Sequence, residues 1–510
     1  MPKISRAFLS AYDKTGLDGV AKELAERNIE IWASGGTAKF LKEHDIDVKS
    51  IEQLTGFSQL LGGRVKTLHP AVFSGILARD DEKDFSQLDE HNFSKFDLVF
   101  VDLYPFSSAL EKNADEDELI ELIDIGGVAL LRAAAKNFKR VVVCHNISCL
   151  ESILETMDSE NKISEKFSKE LAVETFFFTS VYDSTIARYF WNENEQGFLK
   201  NFSIGGGSEK MSQLRYGENP HQSAAVYSTF PSEGVPSAEI LNGKPLSYNN
   251  FLDLDAAYRG AIEFDEPSCT IVKHLSPCGI AIGESPNEAY EKALASDPLS
   301  AFGGIVAFNR KIEVELARML KKHFFECILA PDYSEEALEI LRQKKNLRLL
   351  KLNDFFPKSK ISVRGITGGI LVQEVNSPGT LAEKWEVVSR RKPTDDEEMQ
   401  MCFAMRAAKL VKSNTVLIAK DNATVGIGGG LPSRVDAAIL AVKKAGDRAK
   451  GAVAASDAFL PFPDTLYVLA EAGITALIQP GGSRNDQLSI DAANKLKIAM
   501  VFTGMRHFKH

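Results

Sequence analysis

"IEIWASGGTAKFLKEH", residues 29–44, sets the class of the N-terminal fold. "IEIWA" (29–33) is short, apolar and rich in β-formers, and reads as a strand. "SGGT" (34–37) reads as a loop and "AKFLKEH" as a helix. Upstream, Leu17, Val20, Ala21, Leu24 and Ala25 recur at helical spacing, and Asn28 can end that helix. Downstream, "FDLVFVDLY" (96–104) and "RVVVCH" (140–145) read as further buried strands. Strands alternating with helices predict a parallel α/β sheet.

Residues 151–200 read as helical. "NFSIGGGSEKMSQ" (201–213) has the composition of a linker. The predicted division is therefore a first domain over 1–200, with its α/β core at about 1–146, and a second over 214–510. The second half again alternates strands and helices, with Gly/Pro punctuation in "SAFGGIVAF", "GIGGGLPSR" and "IQPGGSRND".

The 510 residues suffice for about three compact domains. A hydrophobic share of 44% and a charged share of 25% suit a globular chain with a real core. Net charge is −10 and no long basic run occurs, which argues against a nucleic-acid partner. The six cysteines form no C-x-x-C pair and read as thiols in a reducing compartment. The opening "MPKISRAFLSAYDK" lacks the apolar core of a signal peptide, and no apolar run is long enough to span a bilayer. A cytoplasmic protein without a membrane partner is expected.

Three segments of the first half suggest an anion pocket. "SGGT" offers backbone N–H groups, a helix N-terminus and the hydroxyls of Ser34 and Thr37; its plain alternative is a tight turn capped by Thr37. In "GGRVKTLHP" (62–70), Arg64 and Lys66 alternate beside Thr67 and could line one cleft, or form a solvated loop. In "DIGGVALLRAAAKN" (124–137), Asp124, Gly126 and Gly127 open a helix on which Arg132 and Lys136 stand four apart. Together they point to a phosphorylated small molecule. Tyr104, at a strand end before Pro105, is a candidate acid or hydrogen-bond donor.

In the second half, "TIVKHLSPCG" (270–279) sets Lys273 beside His274 before a break at Pro277. One reading is a strand end with a solvated lysine, a buried histidine and an inert thiol. A zinc deaminase would need P-C-x-x-C, but Cys278 is followed by Gly-Ile-Ala. The third reading is acid–base group transfer: histidine is the side chain suited to taking a proton at neutral pH, and an ammonium can stabilise charge developing on a carbonyl oxygen.

"SGGTAKFL", "LTGF…GGRVKTLHP", "LYPF" and "IDIGG…LLRAAAKN" resemble the cyclohydrolase half of the bifunctional purine-biosynthesis enzymes, the phosphoribosylaminoimidazolecarboxamide (AICAR) formyltransferase/IMP cyclohydrolase family. "LRYGENPHQSAAVY", "LNGKPLSYNNFLDLDAAY", "SDPLSAFGGIVA", "KSN" (412–414), "SDAFLPFPD" and the terminal "RHF" resemble its formyltransferase half. The resemblance implies a methylglyoxal-synthase-like doubly wound sheet, then a duplicated, cytidine-deaminase-like α/β region of two subdomains without zinc. It implies formyl transfer from 10-formyltetrahydrofolate to AICAR, then dehydrative closure of formyl-AICAR to IMP. It requires no metal for the chemistry, leaves room for a bound monovalent cation, and implies a homodimer.

By the same resemblance, Lys66, Tyr104, Asp124 and Lys136 fall at the cyclising centre. Lys14, Ser34, Gly36, Thr37, Arg64, Thr67, Gly126 and Gly127 fall on its ribotide and phosphate contacts. Lys273, His274 and Asn414 fall on formyl transfer, with His274 as the base and Lys273 on the formyl oxygen or the leaving N10. Arg215, Tyr216, Gly303, Glu326, Arg434, Phe459 and Arg506 fall on that substrate site, and Cys278 is a bystander.

The chain departs from the family pattern at three places. Tyr12 stands in "SAYDKTG" where the family usually has a serine. Asp102 stands in "DLYPF" for an asparagine, exchanging a group that can donate for one that, ionised, only accepts. Leu431-Pro432 replaces a Gln-x pair in "GIGGGLPSR", at the expense of about 0.5–1.5 kcal/mol if that glutamine bonds substrate. Two readings follow: both halves active, or an active formyltransferase whose first half is a non-cyclising ligand-binding module.

Overall fold

The computed structural model describes residues 2–57, 60–112, 114–190, 209–228, 234–353, 361–376 and 385–510. The chain divides near Glu209 into two compact units.

The first unit is built on β1 (Arg6–Ser10), β2 (Glu30–Ala33), β3 (Lys49–Ser50), β4 (Leu98–Val101) and β5 (Val142–Cys144). All neighbours are parallel, in the order β3-β2-β1-β4-β5. β4 and β5 are apolar and buried throughout, and β1 and β2 in their interiors, because both faces are covered. On β1, Ala7 and Leu9 enter a core with Leu17, Leu24 and Ile153, while Phe8 enters another with Val72, Ile76 and Leu131. The sheet is thus doubly wound, and its strand order reverses between β1 and β4. Asn28 ends the first helix as read: at φ 59° it is left-handed, its N–H donates to Ala25 O, and the Ile29 N–H donates to Leu24 O.

Three local readings are corrected. The helix after β2 begins at Gly35, with extended Ser34 at its N-cap position, so the two glycines form its first turn. Thr37 is therefore no cap. β4 stops at Val101, which places Tyr104 in the following loop, where Pro105 has no N–H for a ladder. The linker reading falls outside the described residues at 201–208, and Glu209–Leu214 is a strand, β6, paired with β7 (Ala224–Ser228). Pairing with a partner strand outweighs its linker-like composition.

The remaining strands of the second unit are β8 (Glu239–Asn242), β9 (Ser268–Lys273), β10 (Ser276–Ile282), β11 (Gly304–Phe308), β12 (Phe325–Ala330) and β13 (Arg348–Lys351). The hairpin of β14 (Ile361–Ile366) and β15 (Gly369–Glu374) follows. Then come β16 (Glu386–Val387), β17 (Val416–Lys420), β18 (Ala423–Gly428), β19 (Val453–Ser456), β20 (Ala476–Gln479) and β21 (Ala499–Phe502). Twelve of them form one sheet, β16-β21-β20-β19-β17-β18-β10-β9-β11-β12-β13-β8.

The order reads the same from both ends. Each half has an antiparallel hairpin (β9–β10, β17–β18) and three parallel strands (β11-β12-β13, β19-β20-β21). Each ends in an antiparallel edge strand, β8 or β16. Each hairpin is preceded by a 14-residue helix opened by a capping box, Tyr248–Ala261 after Ser247 and Asp395–Ala408 after Thr394. The region is a duplicated α/β fold whose halves join at β10 and β18.

Candidate functional site

In an open parallel sheet, ligands bind beyond the carboxyl ends of the strands, where the order reverses. In the first unit that crevice lies between the ends of β1 and β4. Ser10 and Ser34 share a hydroxyl hydrogen bond of 2.9 Å, and Thr37 Oγ1 accepts from Ala11 N at 2.9 Å. Lys14 Nζ donates to Tyr12 O at 3.1 Å. Thr67's hydroxyl lies so near Gly126 that a Cβ there would come within 2.8 Å of it.

Tyr104 and Asp124 are neighbours, and Lys66 lies within electrostatic range of Asp124. Asp124 accepts from Gly127 N at 2.7 Å and lies beside the Tyr104 amide, with the Lys66 charge near it. Burial pushes its carboxyl above the ordinary range, more than those donors and Lys66 offset. Burial, then the Asp124 charge, raises the Tyr104 hydroxyl, so it stays protonated at neutral pH. Gly127 is required here: a Cβ would come within 2.6 Å of Asp124 Oδ2.

Arg64 is exposed and ion-paired with Glu121. Lys136 is exposed at the far end of the helix Gly126–Lys136, about 15 Å along its axis from the glycines.

Both departures near this crevice have local partners. Asp102 Oδ2 accepts from Asp13 N at 2.8 Å, so its carboxylate holds the loop after β1. Tyr12 stands edge-on to Tyr104, ring centroids 5.7 Å apart. Sequence reading missed Tyr182, whose hydroxyl accepts from Asp124 N at 2.7 Å and donates to Leu122 O. No local motif marks a tyrosine 58 residues away.

In the second unit, register brings the remaining residues, apart from Arg215 and Tyr216, to one end of the strands of the twelve-stranded sheet. Ile305 pairs with Val272, which sets Gly303 at the Lys273 end. Gly304 pairs with Phe325, which adds Glu326. Ala281 pairs with Ala423 and Val416 with Gly428, so Asn414 and the loop to Arg434 reach the same end. Val416 also pairs with Ser456, bringing Phe459, and the parallel β20 and β21 lead to Arg506.

The hairpin itself differs from expectation. Lys273 pairs with Ser276, and the turn is His274–Leu275, not Ser276-Pro277, which start β10. Alternation across the strand ends at Lys273. Lys273 Nζ donates to Phe302 O at 2.7 Å, and Gly303, at φ 72°, donates its N–H to Phe324 O. His274 is exposed; the thiol of buried Cys278 is pushed up to about 12 by burial. Glu326 is ion-paired to Arg348 at 2.6 Å. Arg215 lies over the Tyr216 ring, and Arg506 over Phe508.

Arg434 is buried and its guanidinium is used internally. It bonds Asp457, Thr415 O and Ser456 Oγ, and donates to Asn414 Oδ1 at 2.7 Å. Asn414 Nδ2 donates to Leu431 O at 3.1 Å and Pro432 O at 2.9 Å. The Leu431-Pro432 departure therefore holds Asn414 through its carbonyls, while the Leu431 side chain packs on the core. Asp457, fully buried, was missed by sequence reading. Among the described residues no cluster of three or more His, Cys, Asp or Glu could hold a metal ion.

Residues 134–444 match the model of the AICARFT/IMPCHase bienzyme, and residues 16–129 that of the MGS-like domain. The chain is 47% identical to the bifunctional purine biosynthesis protein PurH of Clostridium perfringens over 508 residues, 99% of each chain. It is equally similar to the PurH proteins of Petrotoga mobilis, at 47% over 99% of this chain and 100% of that one, and of Persephonella marina, at 47% over 99% of each.

Proposed function

Since the chain belongs to the AICARFT/IMPCHase bienzyme family and catalyses the last two steps of purine (IMP) biosynthesis, we propose how its two units divide them. Formyl transfer takes place at that end of the strands in the second unit, with 10-formyltetrahydrofolate as the folate-type donor. The 5-amino group of AICAR attacks the formyl carbon, and His274 takes the proton that amine loses. The bond from the formyl carbon to N10 breaks and N10 is protonated, giving formyl-AICAR and tetrahydrofolate. Lys273, now on the Phe302 carbonyl, turns its ammonium to the oxygen on which charge develops. Asn414, fixed by Arg434 and the two loop carbonyls, forms the opposite wall.

Cyclisation takes place in the first unit. The carboxamide nitrogen of formyl-AICAR attacks its own formyl carbon, and water leaves. Burial strengthens Asp124 as the acceptor of the amide proton, Tyr104 donates to the departing oxygen, and Lys66 stabilises its charge. The observation that carries this reading is Tyr104 beside Asp124, with Lys66 in electrostatic range, at the reversal of the strand order. Lys136 is left out of it.

From Glu326 on β12 to the end of β19, where His507 N beside Arg506 donates to Asp457 O, the residues of the formyltransferase site spread over six strand spacings, about 29 Å, which is more than one ribotide spans. We infer that a second copy completes the formyltransferase site, and expect sedimentation as a homodimer of the 56.0 kDa chain. Among the described residues no helix is long and apolar enough to cross a membrane, and all six cysteines are free; both support placement in the cytoplasm.

The test is product analysis. Protein, AICAR and 10-formyltetrahydrofolate are mixed, quenched over time, and the nucleotides separated. IMP should form faster than in an enzyme-free control holding formyl-AICAR. Accumulation of formyl-AICAR would instead support the less favoured reading, a non-cyclising first unit.

A further inference from the structure

The duplicated sheet contains an internal comparison for the Lys273–His274 hairpin. β9–β10 turns through His274–Leu275 and β17–β18 through Asp421–Asn422, and all four residues have φ between 52° and 62°. Two left-handed residues make a type I′ turn. Asp and Asn suit it, whereas His and Leu meet a Cβ penalty there. The turn bearing the chemistry is the strained one.

The two turns are held by equivalent residues of different chemistry. The sixth residue of each capped 14-residue helix faces its turn: Asp253 in Tyr248–Ala261, Gln400 in Asp395–Ala408. Gln400 Oε1 accepts from one turn amide, Asn422 N, at 2.8 Å. Asp253 accepts from both, Oδ2 from His274 N at 3.0 Å and Oδ1 from Leu275 N at 2.6 Å. Where turn-forming residues are absent, a group with two acceptor oxygens stands in place of an amide with one. Leu275 also packs into the cluster that includes Phe251 and Leu254 of that helix.

Resting on the reading of Lys273 and His274 as the formyl-transfer groups, we propose that Asp253 is a positioning residue for that reaction. Its carboxylate bridges the two turn amides, holds His274–Leu275 left-handed, and so sets where the imidazole and the neighbouring ammonium stand. It touches neither the reacting atoms nor the His274 ring.

The test uses the full-length protein. Asp253→Asn has one acceptor oxygen, so one turn amide loses its partner and faces a donor. It should lower kcat for formyl transfer about 10- to 100-fold while KM for AICAR changes less than about three-fold. Closure of supplied formyl-AICAR, carried by the other unit, should be unchanged. Leu275→Gly removes the Cβ penalty at the second turn position and should return part of the lost kcat in the D253N background. A native kcat in D253N, a parallel loss of ring closure, or no recovery with L275G would each overturn the proposal. His274→Ala is assayed beside it. If H274A keeps formyl transfer, the reading of the hairpin fails and this proposal with it; an inactive H274A beside a native-like D253N overturns the positioning role alone.

Discussion

Arg434 and Asp457 show how a binding motif can act through the interior. The pair is buried, and Asp457 also accepts from Ser413 Oγ and Thr415 N, so both charges have partners. Removing one partner of such a pair strands the other. Arg434→Met should therefore cost about 3 kcal/mol in denaturant unfolding of the second unit, and adding Asp457→Asn should restore part of it. If Arg434 served substrate alone, R434M would lose activity at undiminished stability. Asp102 follows the same logic at lower stakes. Its carboxylate accepts from a loop amide, so the residue in place of the family's asparagine has a hydrogen-bond partner within the chain.

At the scale of elements, close packing explains the glycines of "GIGGGLPSR". A Cβ on Gly428 would overlap the Ala437 carbonyl, and one on Gly426 the Ala441 carbonyl, on the helix Arg434–Ala445. The equivalent strand of the other half has Gly279 under Ala293. Gly428→Ala should push that helix outward and carry Arg434 from Asn414. The expected result is a formyl-transfer rate at least about 10-fold lower, with ring closure unchanged; native formyl transfer in G428A would refute it. The same elements show what was legible in the sequence. β2, β4 and β5 could be read because strands covered on both faces are largely continuous apolar runs, whereas the short β1, bounded by Arg6 and Ser10, was not read. The β9 turn was misplaced because Pro277 looks like a breaker, whereas His-Leu carries no turn signal and is held by a helix residue 21 positions earlier. Asp253, Asp457 and Tyr182 were likewise invisible, since only long-range contact distinguishes them from other acidic or aromatic residues. The family motifs pointed to candidate site residues, but not to the partners that hold them.

At the scale of the whole molecule, His145 in the first unit and His507 in the second are held in the neutral form by their surroundings. Burial lowers His145 to about 4, and burial, then the Lys409 charge, lowers His507 to about 4, both from an ordinary 6.5. Between those values the unfolded chain binds the extra proton, so the contribution is complete above pH 6.5 and lost as pH falls toward 4. His145→Phe keeps the ring on Phe178 and removes the titration. Below pH 6.5 the native first unit should lose about 1.4 kcal/mol per pH unit relative to H145F; parallel pH profiles would refute this. The division of labour makes a further prediction. Asp124→Asn should stop at formyl-AICAR, and Lys273→Ala should close supplied formyl-AICAR but form none. Because each unit contains its own proton-handling groups, mixing the two variants should restore IMP formation from AICAR, with a lag while free formyl-AICAR accumulates. Time courses of the separated nucleotides read the lag directly. IMP without a lag would mean that the intermediate passes between sites without release, and no IMP would mean that each reaction needs both residues intact in the same chain.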